Sequence, residues 1–386
     1  MDKLVRLFYA TNRAHNGRDA LNPRGYGAGF SHQGVENLRF GTLTLAADSG
    51  EIDRLLNLRV DGLPGDGEGL ARYFQRLASR PLSLSAFAET LDPGLPDSVQ
   101  PGTRFGSRSF FAALHAEMAA AADVVVLVHG FNVSWVDAVA SAAALEVSLN
   151  ANPLRNHSRA VRVVLFSWPS DGVALPFVSY RSDRTEAHAS GYALARGLLK
   201  LRDFLDVLTD PEGNPLPPCG QRVHLLCHSM GVHVLEAALE RLVAFTPGSS
   251  LPRLFEHIFL CAADVDDNAL ERSAPLGMLH ELGRSVTVYH HAGDKALQTA
   301  VLTKARVERL GTFGCARPAI VHHKVHQVDC AAVVGAGFME HAYHLWGYAN
   351  ADIRQSIDGV PHDAAARFRY AARELPNVWC LEARSP

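Results

Sequence analysis

Short runs, most of them largely apolar, recur along the chain between residues 123 and 330. Their length and their content of Val, Ile and Phe favour buried β-strands over helices. Polar or turn-forming residues follow the runs, as expected where strands end at a sheet edge. The predicted strands are Val124–Val128, Val161–Phe166, Arg222–Cys227, His257–Cys261, Ser285–His290 and Val325–Asp329, and we expect the last of these to be the final strand.

Longer segments with apolar residues at helical spacing separate these runs. The segment that follows residue 231, for example, carries Leu235, Leu239 and Leu242 on one helical face. Strands that alternate with helices need right-handed crossovers, so the pattern predicts an α/β fold with a mainly parallel sheet covered on both faces. Functional residues collect at the carboxyl ends of the strands in such sheets. The predicted helices cover residues 134–149, 186–208, 232–243 and 295–310.

The first 122 residues have a different pattern. Residues 22–29 are rich in glycine and are predicted to form a loop. The stretch Asp61–Gly69 is the strongest linker signal in the chain. The predicted regular elements are strands at 4–10 and 38–46 and helices at 70–79 and 109–121.

These patterns suggest three regions in the 386 residues. We expect an N-terminal region at 1–122 that either joins the same sheet or covers the site. A catalytic core follows at 123–350, and residues 351–386 form a C-terminal tail.

The composition narrows the classes of function. A net charge of −3 offers no basic surface for nucleic acid or for an anionic membrane. No apolar run approaches the ~20 residues of a membrane-spanning helix. The first ten residues carry Arg6 inside their only apolar stretch and lack a small-residue cleavage site, so we expect no signal peptide and a cytoplasmic protein. The six cysteines form no Cys-x-x-Cys pair, which favours buried thiols in a reducing compartment.

The strongest candidate for chemistry lies between the strand at 222–227 and the helix at 232–243. There the sequence reads Cys-His-Ser-Met-Gly, with Ser229 at its centre. A strand, a sharp turn with a central serine and a helix form the nucleophile elbow of serine hydrolases. The positions two before and two after the serine must be small, because strand and helix approach closely there. Gly231 meets this condition, and Cys227 stands where glycine is usual.

A serine hydroxyl needs a base within hydrogen-bond reach, and that base needs a carboxylate that orients it. The chain order Ser…Asp…His is that of α/β-hydrolases, and Ser229, Asp294 and His341 follow it. Asp264 also ends a strand and remains an alternative acid, while Asp294 could instead be a helix N-cap. The alternative bases are His290, His291, His326 and His344.

The tetrahedral intermediate of acyl transfer needs backbone N–H donors. One should be the amide of Met230, and we expect the other from Phe131 in the loop after the strand at 124–128. No spacing of Cys and His predicts a metal site, and no phosphate-binding loop follows a strand, so we expect no metal and no cofactor.

Several motifs together resemble a bacterial family of α/β-hydrolase-fold proteins that is known mostly as a domain of unknown function. The resemblance covers about residues 1–15 and 123–350. The motifs that carry it are Tyr9–Arg13, Val126–Ser134, Val164–Gly172, Cys227–Gly231, Ala263–Asp266, Gly293–Leu297 and Glu340–Tyr343.

This resemblance implies serine-hydrolase chemistry, with Ser229 as nucleophile, Asp294 as acid and His341 as base. We expect an esterase that acts on a small-molecule acyl substrate through an acyl-enzyme. The same triad serves amidases, thioesterases and acyltransferases, and a hydrolase fold without turnover can serve as a binding protein. The sequence makes no prediction about the oligomeric state.

Overall fold

In a computed structural model of the protein, one large sheet runs through the molecule. No helix within the described ranges is both long enough and apolar enough to cross a membrane. The structure describes residues 2–57, 63, 65–87, 106–120, 122–151, 159–170, 176–246, 250–302, 308–335, 339–372 and 375–383.

Eleven strands of the described chain form this sheet in the order β12-β13-β11-β10-β9-β8-β6-β7-β1-β4-β5, and β2 and β3 form a separate hairpin. Neighbours from β13 to β1 are parallel, and the three outer pairings are antiparallel. The strands are β1 (Asp2–Thr11), β2 (Arg13–Asn16), β3 (Gly25–Phe30), β4 (Arg39–Asp48), β5 (Ser83–Ala86), β6 (Ala122–Val128), β7 (Ala160–Ser167), β8 (Val223–His228), β9 (Phe255–Cys261), β10 (Gly283–His290), β11 (Val325–Asp329), β12 (Arg369–Ala371) and β13 (Val378–Leu381).

Helices connect the parallel strands and cover both faces of the sheet. A short 3-10 segment, Met339–Leu345, follows the last long parallel strand. The helices are α1 (Ser49–Asn57), α2 (Gly67–Ala78), α3 (Gly106–Ala119), α4 (Trp135–Ala151), α5 (Pro176–Val207), α6 (Gly231–Phe245), α7 (Leu279–Leu282), α8 (Lys295–Leu302), α9 (Leu310–Phe313) and α10 (Gly347–Ile357).

Two apolar cores lie on the two faces of the sheet. Side chains of a strand alternate between faces, so Val124 and Val128 of β6 lie in one core while Val125 and Leu127 lie in the other. The first core also takes residues of α3, α5 and α6, and the second takes residues of α2, α4 and α10. This double cover explains why the central strands are apolar at nearly every position. The predicted α/β class with a mainly parallel sheet is confirmed.

Two predictions about regular structure are wrong. Residues 22–29 are not all loop, because Gly25–Phe30 form β3, which pairs with β2. The strand at 325–329 is not the final one, because β13 pairs parallel to it and β12 pairs with β13. Five strands were not predicted, namely β2, β3, β5, β12 and β13, and each spans only three to six residues, too few to show a clear alternation. Of the predicted linker, residues 61, 62 and 64 lie outside the described residues, while residues 67–69 begin α2.

Candidate active site

The turn between β8 and α6 presents Ser229 above the carboxyl end of the sheet. Its φ angle of +53° lies in the left-handed region, which costs a serine on the order of 1–3 kcal/mol. Two backbone hydrogen bonds hold this conformation. The Ser229 N–H donates to the Cys261 carbonyl (2.9 Å), and the Ser229 carbonyl accepts from the Asp264 N–H (3.3 Å). Strand β9 thus supports the strained turn from the side.

Glycines allow the turn to approach its neighbours. A Cβ on Gly231 would lie 2.6 Å from the carbonyl oxygens of Val128 and His129, so only glycine lets α6 begin this close to β6. A Cβ on Gly130 would lie 2.8 Å from the Cβ of Ser229, so the loop after β6 runs directly against the serine. Cys227 is fully buried, and burial raises the pKa of its thiol. The thiol therefore packs as a small apolar side chain.

Asp294 and His341 form a hydrogen-bonded pair at the carboxyl end of the sheet. The distance from Nδ1 of His341 to Oδ2 of Asp294 is 2.6 Å. The other carboxylate oxygen of Asp294 accepts from the N–H groups of Ala296 and Leu297, at 3.0 and 3.1 Å, at the start of α8. An ionised carboxylate only accepts, so the Nδ1 atom of His341 carries the proton. Nε2 of a neutral His341 is then free to accept one.

The segment that carries His341 lies against the residue before Ser229. Nε2 of His228 donates to the carbonyl oxygen of His341 (3.1 Å), and the ring of His228 packs between those of His341 and His344. Burial, then the neighbouring His344 and His341, holds the pKa of His228 well below the ordinary value. Burial, then His341, lowers the pKa of His344 to about 3. Both rings are neutral near pH 7 and do not oppose a positive charge on His341.

Asp264, the alternative acid, lies in a different set of contacts. The Tyr180 hydroxyl donates to its Oδ2 atom (2.6 Å), and the Arg309 guanidinium lies 3.4 Å from its Oδ1 atom. The structure brings Asp294, and not Asp264, to His341. Arg309 in turn pairs with Asp266 at 2.5 Å.

The alternative histidines lie elsewhere. The ring of His344 packs against the ring of His228. Nε2 of His291 lies 2.8 Å from the carbonyl oxygen of Gly335. His326 stacks on His362, with ring centroids 3.7 Å apart. The carbonyl oxygen of His290 accepts from the N–H of Cys330 (2.9 Å), at the end of β10. Among the described residues, no group of three or more His, Cys, Asp or Glu side chains is arranged to hold a metal ion.

The amides of Phe131 and Met230 belong to the two segments that meet at Ser229. Phe131 is one residue after Gly130, which contacts Ser229, and Met230 directly follows the serine. Within the described ranges, neither N–H donates to a protein acceptor. The Phe131 ring meets the Tyr180 ring edge to face, with centroids 5.6 Å apart. Within the part of the chain that the structure describes, these two segments therefore offer two backbone donors without a protein partner.

Sequence reasoning missed the side chains that support this arrangement. Arg13, Asp183 and Tyr180 all contact the loop after β6 or the turn after β9. Of these three residues, only Arg13 could have been found from the sequence, because it ends the Tyr9–Arg13 motif. The other two lie in a long helix, where polar residues are ordinarily exposed.

Comparison with known proteins identifies the family of the chain. A family model described as "Alpha/beta hydrolase of unknown function (DUF900)" matches residues 108–353, well over half of the chain. Comparisons with curated proteins and with solved structures gave no match. The matched range contains the elbow serine, the Asp294–His341 pair and the loop after β6. The chain therefore belongs to this family of α/β-hydrolases of unknown function.

Proposed function

We propose that the protein is a serine hydrolase that cleaves carboxylic esters through an acyl-enzyme. One observation carries the proposal. A serine in a strained elbow shares one sheet edge with a histidine whose Nδ1 atom lies 2.6 Å from a fully buried aspartate. A strained nucleophile and an oriented base are the two parts that serine catalysis requires. The family supports hydrolase chemistry and leaves the substrate open.

In the proposed mechanism, Nε2 of His341 takes the proton of the Ser229 hydroxyl as the oxygen attacks the acyl carbon. Asp294 keeps His341 in the Nδ1–H tautomer and stabilises the imidazolium that forms. The amides of Phe131 and Met230 donate to the oxyanion. His341 then protonates the leaving alcohol, and the acyl-enzyme is hydrolysed by a water that His341 activates. No step needs a metal or a cofactor.

Labelling with a fluorophosphonate probe tests this proposal. We expect the native protein to be labelled covalently and Ser229→Ala not to be labelled, because the probe reacts only with an activated serine. Ser148→Ala is the matched control, since Ser148 is a buried serine of α4 whose hydroxyl donates to the Leu145 carbonyl of the same helix, and we expect it to retain labelling. A native protein without label, or equal labelling of Ser229→Ala, would contradict the proposal and favour a binding protein without turnover.

Substrate class needs a second measurement. We expect p-nitrophenyl esters to be hydrolysed with a preference along the series of acyl-chain lengths. Matched amide and thioester substrates should be cleaved at least tenfold more slowly. Faster cleavage of the amide or the thioester would reassign the enzyme to another class of acyl hydrolase while leaving the triad in place.

A further inference from the structure

Arg13 is a buried cation at the end of β1, beside the proposed oxyanion loop. Its side chain is 1% exposed. The guanidinium donates to the hydroxyl of Ser167 (2.9 Å) and to the carbonyl oxygens of Gly27 (3.0 Å) and Val133 (2.7 Å). Burying a charge is costly, and a surface arginine would avoid that cost. The planar fork of arginine can, however, donate to several loops at once.

From Arg13 a line of hydrogen bonds leads to the Gly130 carbonyl. The hydroxyl of Ser167, which accepts from Arg13, lies 3.2 Å from Nε2 of His129. The Trp168 N–H donates to the same Nε2 atom (3.2 Å), so Nε2 is the acceptor of a neutral ring and Nδ1 carries the proton. The Nδ1–H group donates to the carbonyl oxygen of Gly130 (3.0 Å). Burial, then the charge of Arg13, lowers the pKa of His129 to about 3.

The carbonyl of Gly130 and the N–H of Phe131 belong to one peptide group. A trans peptide is planar, and its C=O and N–H point in opposite directions. Anchoring the Gly130 oxygen on His129 therefore fixes the direction of the Phe131 N–H. The ring of His129 cannot turn freely, because it stacks on Trp168 with centroids 5.2 Å apart and planes 10° apart.

The loop is also anchored after Phe131. The N–H of Asn132, whose φ is +56°, donates to Asp183 (3.0 Å), and the N–H of Val133 donates to the Ser170 hydroxyl (3.2 Å). Arg13 holds the carbonyl of Val133. Hydrogen bonds thus hold the peptides before and after Phe131, and no acceptor among the described residues takes the Phe131 N–H.

We propose that Arg13 is a positioning residue that aims the oxyanion donor of Phe131, acting through Ser167 and His129. This inference rests on the proposed serine-hydrolase function. It gives the N-terminal strand a part in catalysis, although Arg13 does not touch the reacting atoms. The energetic reason is that a preorganised donor needs no reorganisation when charge develops on the substrate oxygen.

Two variants of His129 test the hydrogen bond from His129 to the Gly130 carbonyl. His129→Phe keeps a ring for Trp168 and removes the donor to Gly130. His129→Asn restores an amide donor near the Nδ1 position. We expect kcat for p-nitrophenyl acetate to fall about 10- to 100-fold in His129→Phe, with KM within about twofold, and to recover partly in His129→Asn. Fluorophosphonate labelling should slow in parallel with kcat.

Arg13→Lys tests the origin of the relay, because one ammonium group cannot serve Ser167, Gly27 and Val133 together. We expect a similar loss in kcat. Arg354→Lys is the matched control: Arg354 is equally buried and donates to the Arg159 carbonyl (2.7 Å), far from the site. We expect the control to lower the Tm and to keep kcat within about twofold.

The outcomes separate the two proposals. If the wild-type protein is labelled and folded Arg13→Lys or His129→Phe keeps the wild-type kcat, the positioning role is wrong and the hydrolase stands. Equal losses of kcat in Arg13→Lys and Arg354→Lys would also overturn it, since they would reflect stability alone. If Arg13→Lys does not fold, the pair of His129 variants decides. An unlabelled wild-type protein would overturn the hydrolase and this inference together.

Discussion

At the scale of single residues, Asp294 is both a helix N-cap and the hydrogen-bond partner of His341, two roles that the sequence offered as alternatives. One carboxylate oxygen caps α8, and the other holds Nδ1 of His341. A cap fixes the carboxylate relative to the backbone, so it also fixes where His341 can bind. Asp264 is just as buried, but its partners are a tyrosine and an arginine. The two aspartates therefore differ in their neighbours and not in their exposure.

Replacing each aspartate by asparagine should separate the two roles. In Asp294→Asn the new amide can donate to Nδ1 of His341, which leaves Nε2 protonated and unable to act as a base. We expect kcat to fall about 10⁴-fold. Asp264→Asn leaves the tautomer of His341 unchanged, and we expect less than a tenfold loss. Ester hydrolysis at pH 7.5 measures both, with circular dichroism as a check of folding. Equal losses would contradict the assignment of Asp294 as the acid.

At the scale of elements, the packing of α5 against α6 supports the elbow. α6 begins directly after the nucleophile turn, so a displacement of this helix would move Ser229. Gly191 of α5 faces Ala237 of α6. A Cβ added to Gly191 would lie 2.4 Å from the Cβ of Ala237 and 2.8 Å from the carbonyl carbon of Ala237. Because backbone is among the atoms contacted, no rotamer change can relieve the overlap. The two helices are in contact because this position has no side chain.

Gly191→Ala should therefore destabilise the fold. We expect the free energy of unfolding in urea to fall by about 1–3 kcal/mol, since overpacking of a well-packed contact costs this much. Gly197→Ala is a matched control in the same helix. There a Cβ would lie 3.3 Å from Cδ1 of Leu38, the end of a flexible side chain. We expect Gly197→Ala to be neutral or to stabilise by up to ~1 kcal/mol through helix propensity. A more stable Gly191→Ala would refute the close contact.

At the scale of the whole molecule, a buried polar layer lies on one face of the sheet. His224 and His257 of neighbouring strands stack with centroids 5.3 Å apart, and His257 contacts the Ser285 hydroxyl (2.7 Å). Both ring nitrogens of His224 lack a hydrogen-bond partner among the described residues. Burial lowers the pKa of His224 strongly, that of His257 to about 3 and that of His326 to about 4. These rings are therefore neutral in the folded protein at pH 7.

This layer predicts a loss of stability in acid. Below the ordinary histidine pKa of ~6.5 the unfolded chain binds protons that the folded protein does not, so stability is full above this pH and falls as the pH decreases toward the lowered folded pKa values. The free energy of unfolding should therefore decrease with falling pH, and His224→Leu should reduce the slope of this dependence by up to about 1.4 kcal/mol per pH unit. Urea denaturation at pH 7, 6 and 5 measures it.

The matched control for this experiment is His32→Gln. His32 is exposed and meets solvent in both states, so its replacement should leave the slope unchanged. An unchanged slope in His224→Leu would show that this ring does not cause the acid sensitivity.

The sequence alone determined the central fold. Buried parallel strands need apolar residues on both faces, so most of the strands from β6 to β11 appear as largely apolar runs, and the boundaries of all six were predicted within two residues. The strand-end rule and the chain order then nominated Ser229, Asp294 and His341 as candidates. The short strands β2, β3, β5, β12 and β13 left no comparable signal, because each spans only three to six residues and lies in the separate hairpin or near an end of the sheet.

Only the tertiary structure decided how the candidates are supported. The choice between Asp264 and Asp294 depended on which carboxylate meets His341, and both follow strands in the same sheet. The contacts of Arg13 with residues more than 100 positions away depend on β1 pairing beside β7. Sequence patterns report burial and local periodicity, whereas hydrogen bonds between distant loops depend on how the strands are ordered in the sheet. That order places the N-terminal strand beside the candidate active site.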